Sequence, residues 1–156
     1  MTGPHAHPPG ASLDRRALDS ATLTAYFDAL TTLPVGPTWA VLQLLPRTGL
    51  RIGELCGLRR ADVDLPSRTI RAPRGKVFVT DDARVVLQTY LDSTKSADVM
   101  HPDDRAAMRT WLFPGYYGPI GPAAVRKVLR QLRETQPGLA PVTVRALRAC
   151  RRVGRT

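Results

Sequence analysis

The chain has 156 residues, of which 43% are hydrophobic and 23% are charged, and it carries a net charge of +10 with a pI near 10.8. This balance fits one globular domain with a real core and excludes collagen-like, coiled-coil and wholly disordered chains. No apolar run reaches the ~20 residues of a membrane helix or indicates a signal peptide. Two cysteines and three histidines form no disulfide framework or metal-ligand pattern, so we expect a cytoplasmic protein without a metal.

The positive charge is concentrated towards one end of the chain. Residues 123–156 hold nine basic residues and a single acid, Glu134. Only three of the 23 basic residues are lysine, and the guanidinium of arginine can grip a phosphate with two parallel hydrogen bonds. A GC-rich genome would also favour arginine, but that bias does not explain where the charge lies. The distribution indicates a polyanionic partner, with a solvated basic tail as the alternative.

The first third of the chain is predicted to be helical after a flexible leader over residues 1–11, which contain three prolines and two glycines. Apolar residues at helical spacing predict a first helix over 19–30. We expect Thr38 to cap a second, almost wholly apolar helix over 39–45 and Pro46 to end or kink it. A turn at Gly49 then leads into a short helix over 51–56.

The rest of the chain mixes one small hairpin with further helices. Strands are predicted over residues 69–72 and 76–80, with a turn at 73–75. Thr80 or Asp81 is expected to cap a helix that ends near residue 91, and a polar loop follows to about residue 104. A short buried segment is predicted at 111–114, then a helix over 123–134 and a last basic helix capped by Thr143. The predicted fold is therefore α+β and mainly helical, with a small β-hairpin or sheet.

Residues 44–64 read LLPRTGLRIGELCGLRRADVD. This segment resembles the first conserved box of the tyrosine recombinase, or phage integrase, family, which runs Thr-Gly-Leu-Arg, then Glu-Leu, then Leu and Asp-Val-Asp. The resemblance implies that Arg51 is the first catalytic arginine, and that Glu54, one helical turn later, orients and neutralises it. Taken alone, such an arginine–glutamate pair would more often be an ordinary surface pair.

Later elements follow the order of the same family. Lys76 lies in the hairpin, where the family carries a catalytic lysine, although a solvated strand end is the alternative interpretation. Residues 111–132 resemble the Leu-Phe-Pro, turn and helix that precede the second box, and residues 141–148 (PVTVRALR) resemble that box itself. Arg148 falls on the second catalytic arginine, and Arg145 falls where most members have histidine. Arginine cannot accept a proton near neutral pH, so Arg145 could bind phosphate but could not serve as that base.

The family's chemistry defines what these residues would do. A tyrosine hydroxyl attacks a DNA phosphodiester and forms a 3′-phosphotyrosyl link without ATP or metal, so the resemblance implies no cofactor. Phosphoryl transfer needs preorganised cations, which Arg51, Lys76 and Arg148 would supply. The residues expected to bind DNA phosphates around this site are Arg126, Arg130, Arg145 and Arg151.

The tyrosine nucleophile of the family lies beyond its second box, and no tyrosine follows Arg148 here. We therefore expect a partial catalytic domain over residues 12–151, with its C-terminal part missing and a basic tail at 152–156. It would bind double-stranded DNA, where it could assemble with other protomers, and would not cleave strands alone. The alternatives are a non-catalytic DNA-binding module, an inert gene remnant, or a small RNA-binding protein; the hairpin's single aromatic, Phe78, argues against the last.

Overall fold

The computed structural model describes residues 18–94 and 110–153. The predicted leader, most of the predicted polar loop and residues 154–156 of the predicted tail lie outside these ranges. The helices and strands, in chain order, are α1 (Ser20–Leu30), α2 (Pro37–Thr48), α3 (Ile52–Cys56), β1 (Val63–Asp64), β2 (Thr69–Ala72), β3 (Gly75–Phe78), α4 (Asp81–Ser93), α5 (Pro122–Thr135) and α6 (Val144–Val153). Short 3₁₀ turns lie between α3 and β1, at Arg60–Asp62, and between α5 and α6, at Pro137–Leu139. The predicted mainly helical α+β fold is confirmed.

Helix α2 departs from the sequence prediction at both ends. It begins after Gly36 with Pro37 in its first turn, so the expected cap at Thr38 is wrong. Proline suits this position because its fixed φ is already helical and its missing N–H needs no partner there. The helix also continues through Pro46 to Thr48 instead of ending before the proline.

A tyrosine from the preceding helix explains why α2 tolerates an internal proline. Pro46 lacks the N–H that would donate to the carbonyl of Leu42, four residues earlier. The hydroxyl of Tyr26, wholly buried on α1, donates to that carbonyl at 2.6 Å instead. A contact between residues far apart in the chain therefore replaces the local hydrogen bond.

The three strands form an antiparallel sheet in the order β1-β2-β3. The predicted hairpin is present, and the two-residue strand β1 is added to its edge. Ile70 pairs with Val63 on one side and with Val77 on the other. Ile70 and Ala72 are buried, whereas the alternating positions, including the paired Arg71 and Lys76, are exposed. The two basic side chains therefore share the face of the sheet that points away from the core.

The core is built around α2, whose residues 40–46 are all buried. Helices α4, α5 and α6 all pack against α2, which explains its almost wholly apolar sequence. The predicted buried segment is confirmed at Leu112 and Phe113, and the carbonyl of Leu112 accepts a hydrogen bond from Tyr90 at 2.7 Å.

Within the described ranges, no helix has both the length and the apolar character needed to cross a membrane.

Candidate nucleic-acid interface

The turn between α2 and α3 presents Arg51 to solvent. Gly49 ends α2 in the left-handed conformation, with φ of 71°, and its N–H donates to the carbonyl of Leu45. Leu50 and Ile52, on either side of Arg51, are buried. Because its neighbours are anchored in the core, Arg51 is held at a fixed position before the first residue of α3 while its own side chain is exposed.

Helix α6 brings two further arginines to the same turn. Ala146 and Leu147 are buried where α6 packs on α2. Arg148 directly follows these two residues in α6. Its Nε donates to the carbonyl of Gly49 at 3.3 Å, although the two residues are 99 positions apart in the sequence. The aliphatic part of Arg151 covers Gly49 so closely that a Cβ there would lie 3.0 Å from Cγ of Arg151. Arg148 is thus in contact with the residue two positions before Arg51.

The carboxylate of Glu54 contacts the main chain of Arg51 and the side chain of Arg74, which was not predicted to belong to the site. It accepts the N–H of Arg51 at 2.8 Å, and it accepts two hydrogen bonds from the guanidinium of Arg74, at 3.0 and 3.1 Å. Burial tends to raise the pKa of Glu54, but the hydrogen bonds from Arg74 and Arg51 and their positive charges outweigh it, so the pKa lies below its usual value. Glu54 is therefore an ion at neutral pH.

Lys76 lies on the exposed face of β3, opposite Arg71 of β2. Its charge reaches Asp64 on the other edge strand: hydrogen bonds from Ser67 lower the pKa of Asp64 most, and the ammonium of Lys76 lowers it further. The structure thus puts Lys76 on the outer face of the sheet. The ion pair between Arg74 and Glu54 joins this hairpin to the Arg51 turn.

Helix α5 exposes its basic side next to α3. Arg126 and Arg130 are both exposed, and the charge of Arg126 acts on the thiol of Cys56 at the end of α3. Burial raises the pKa of that thiol to about 11, and the arginine opposes the rise. Arg145, in the first turn of α6, is also exposed. The exposed arginines of α5 and α6 therefore lie on helices that pack against the elements carrying Arg51 and Gly49.

Two other arginines, Arg133 and Arg47, make contacts within the fold, unlike the exposed arginines of α5 and α6. Arg133 donates to the carbonyl of Val142 at 2.8 Å and so ties α5 to the start of α6. Arg47, on α2, lies 4.2 Å from the centre of the Phe27 ring and donates to Gln43. The i, i+4 spacing of Gln43 and Arg47 already indicates this contact in the sequence.

The four tyrosines fall into two groups. The hydroxyls of Tyr26 and Tyr90 are buried and donate to main-chain carbonyls; burial raises the pKa of Tyr26 far above its usual value and that of Tyr90 to about 12. Tyr116 and Tyr117 are wholly exposed in the loop before α5.

In the parts of the chain that the structure describes, no three His, Cys, Asp or Glu side chains lie close enough together to hold a metal ion.

Comparison with known proteins gives a consistent set of relatives. The model of the phage integrase family matches residues 19–151. The tyrosine recombinase XerC of Xylella fastidiosa (strain 9a5c) is 28% identical over 127 residues, which cover 78% of this chain and 40% of that protein. The crystal structure of XerA recombinase superposes with a TM-score of 0.67 over 85% of this chain and 47% of its own, at 24% identity. The chain spans less than half the length of either relative.

Proposed function

The chain belongs to the phage integrase family, and we propose that it binds double-stranded DNA as a domain of the tyrosine-recombinase type. One phosphate would be held between Arg51 and Arg148. The observation that carries this proposal is the hydrogen bond from Arg148 to Gly49, because it joins the two arginine-bearing segments at one turn. Two guanidiniums can hold the non-bridging oxygens of a phosphate without losing their charge.

Within this proposal, Lys76 is the group that would protonate the departing 5′-oxygen if a tyrosine attacked the phosphodiester, a step that residues 1–156 alone are not expected to perform. The ammonium of Lys76 is exposed on the outer face of the sheet, and a positioned lysine can donate such a proton. The hairpin that carries Lys76 is tied to the Arg51 turn by the Arg74–Glu54 pair. That connection supports the assignment of Lys76 to the same site as Arg51.

Further phosphates along the duplex would be bound by four other arginines of α5 and α6, three of them exposed and one half-buried. Their side chains carry the charge that residues 123–156 concentrate in the sequence. The residues that we assign to this role are Arg126, Arg130, Arg145 and Arg151. The same proposal includes a domain over residues 12–151, possible assembly of several protomers on the DNA and a cytoplasmic location.

We further propose that residues 1–156 alone form no covalent link to DNA. Covalent catalysis needs a hydroxyl that can reach the phosphorus, and no tyrosine follows Arg148. Tyr26 and Tyr90 are committed to buried carbonyls. Only Tyr116 and Tyr117 are exposed, and they belong to a loop for which no catalytic contact is observed among the described residues.

The binding proposal is tested by fluorescence anisotropy with labelled duplex DNA over a series of salt concentrations. With about six phosphate contacts, the affinity should fall ~10³-fold between 50 and 200 mM salt. Arg148→Ala should weaken binding to unrelated sequences about equally and reduce the salt slope by about one. Arg84→Ala is the matched control, since it removes the same charge from an exposed position of α4. An affinity that does not change with salt contradicts the proposal.

The covalent step is tested by incubating the protein with supercoiled plasmid and then separating the products under denaturing conditions. We expect no protein–DNA adduct. If an adduct forms, Tyr116→Phe and Tyr117→Phe identify its origin, because they remove only the exposed hydroxyls. Any adduct formed by the unmodified protein refutes the second proposal and leaves the binding proposal standing.

A further inference from the structure

The most extensive ion pair near the candidate site involves Arg74, a residue outside the motif resemblance. Its Nε and one terminal nitrogen donate to the two carboxylate oxygens of Glu54, at 3.1 and 3.0 Å. The side chain of Glu54 is only 11% exposed, whereas that of Arg74 is 57% exposed. The arginine therefore covers a carboxylate that is held in a fixed position close to the core, in the fork geometry that is specific to arginine.

The pair joins two segments that are 20 residues apart. Arg74 occupies the tight turn between β2 and β3, directly before Gly75, whose φ is 126°. Glu54 lies in the first turn of α3 and also accepts the N–H of Arg51. One carboxylate thus connects the tip of the hairpin to the main chain of Arg51.

An isolated hairpin is only marginally stable in water, and its tip moves unless it is docked. The outer positions of this hairpin, including Lys76, are exposed and receive no support from the core. Lys76 follows Arg74 by two residues in the sequence, so a fixed Arg74 limits where the Lys76 side chain can reach. Loss of the ion pair would release that restraint while leaving the buried face of the sheet intact.

The pair also has an electrostatic consequence for phosphate binding. Glu54 is ionised and lies beside Arg51, so its negative charge would repel a phosphate that approaches that guanidinium. Arg74 neutralises this charge without occupying the exposed side chain of Arg51. The same contact therefore fixes the hairpin and removes an unfavourable charge from the phosphate site.

We propose that Arg74 is a positioning residue, whose two hydrogen bonds to Glu54 hold the Lys76-bearing hairpin beside Arg51. This inference rests on the proposed binding of DNA phosphate at Arg51 and Arg148. It assigns to Glu54 the docking of the hairpin through Arg74, in addition to its contact with the Arg51 main chain. Arg74 acts through Lys76 and Glu54 and does not itself touch the phosphate.

The test is a double-mutant cycle for DNA affinity with Lys76→Ala and Arg74→Gln. In the unmodified protein, Lys76→Ala should weaken binding roughly tenfold, the effect of losing one charge-assisted hydrogen bond. In the Arg74→Gln background it should weaken binding less than about twofold, because the lysine is no longer held at the phosphate. Arg71→Ala is the matched control: it removes a charge from the same hairpin but no ion pair seen among the described residues, so Lys76→Ala should keep its full effect there.

Amide hydrogen exchange of residues 75–78 provides a readout without DNA. Arg74→Gln should speed exchange in this strand, and Arg71→Ala should not. Additive effects in the cycle, or unchanged exchange in Arg74→Gln, overturn the positioning role even though the protein binds DNA. If the unmodified protein shows no salt-dependent binding, the proposed function itself fails and the inference falls with it.

Discussion

Replacing Gly49 by alanine tests the turn on which the candidate phosphate site is built. The residue adopts φ of 71°, which disfavours any side chain with a Cβ by ~1–2 kcal/mol. The new Cβ would also lie 3.0 Å from Cγ and 3.1 Å from Cβ of Arg151. Moving that side chain off its preferred rotamer adds ~0.5–1.5 kcal/mol. We expect Gly49→Ala to lower the free energy of unfolding by about 2 kcal/mol, or the melting temperature by roughly 4–8 °C.

Gly53→Ala is a control only four residues away. Gly53 lies within α3, and a Cβ added there would meet no atom within 4 Å. Alanine is the better helix former, so this variant should be neutral or more stable by up to ~1 kcal/mol. Thermal and urea unfolding measure the stability of the two variants and so compare a strained position with an open one. Fluorescence anisotropy with labelled DNA then compares the DNA affinity of the same two variants.

Two results would refute the reasoning at different points. Equal stability of Gly49→Ala and Gly53→Ala would show that the turn does not require the left-handed conformation or the close approach of Arg151. A destabilised Gly49→Ala that is still folded and binds DNA with unchanged affinity would show that the turn does not position Arg148 and Arg51. Because the carbonyl of Gly49 accepts the hydrogen bond from Arg148, we expect the affinity to fall together with the stability.

Two further predictions concern a buried hydroxyl and a titrating carboxylate. Tyr26→Phe leaves the Leu42 carbonyl without the donor that replaces the missing N–H of Pro46, and it should lower the free energy of unfolding by ~1–3 kcal/mol. In a Pro46→Ala background the restored N–H can donate to Leu42, so urea unfolding should show a smaller effect there; equal effects contradict this account. The pKa of Glu54 is lowered in the folded state, so its carboxylate stabilises the fold above the ordinary value of 4.5 and loses that contribution as the pH falls through the folded pKa. Glu54→Gln should therefore be less stable than the unmodified protein at pH 7, and the difference should shrink below pH 4.5, whereas a constant difference in a pH series of unfolding curves argues against the ionised pair.

Local signals were sufficient for most of the fold. The helical spacing of apolar residues predicted α1, α4 and α5, and the predicted cap of the last helix is confirmed, since Thr143 accepts the N–H of Ala146 at 3.1 Å. The helix end expected at Pro46 was wrong, because the compensating donor comes from Tyr26 on another helix. Strand β1 has only two residues, too few to show the alternation that identifies a strand.

The candidate site likewise has a part that the sequence predicted and a part that it did not. An ordered motif pointed to Arg51 and Arg148, and the structure brings their segments together at Gly49. The contact between Glu54 and Arg74 was not predicted, because an i, i+3 spacing favours a partner on the same helix. Arg74 forms a bidentate pair because the folded sheet places the β2–β3 turn next to α3. That proximity cannot be predicted from the spacing of the two residues in the sequence.

The arrangement of charge implies that the proposed DNA binding would stabilise the folded state. Arg148 and Arg151 both contact Gly49 from α6, so like charges gather near the Arg51 turn when α6 packs on α2. Their repulsion opposes that packing, and the burial of Leu147 and Cys150 against the core offsets it. In the proposed complex, a phosphate between the guanidiniums would turn this repulsion into attraction only when α6 is docked. Bound DNA at a hundred times its Kd would thus add ~2.7 kcal/mol to the stability of the folded domain, and the last helix would gain most from it.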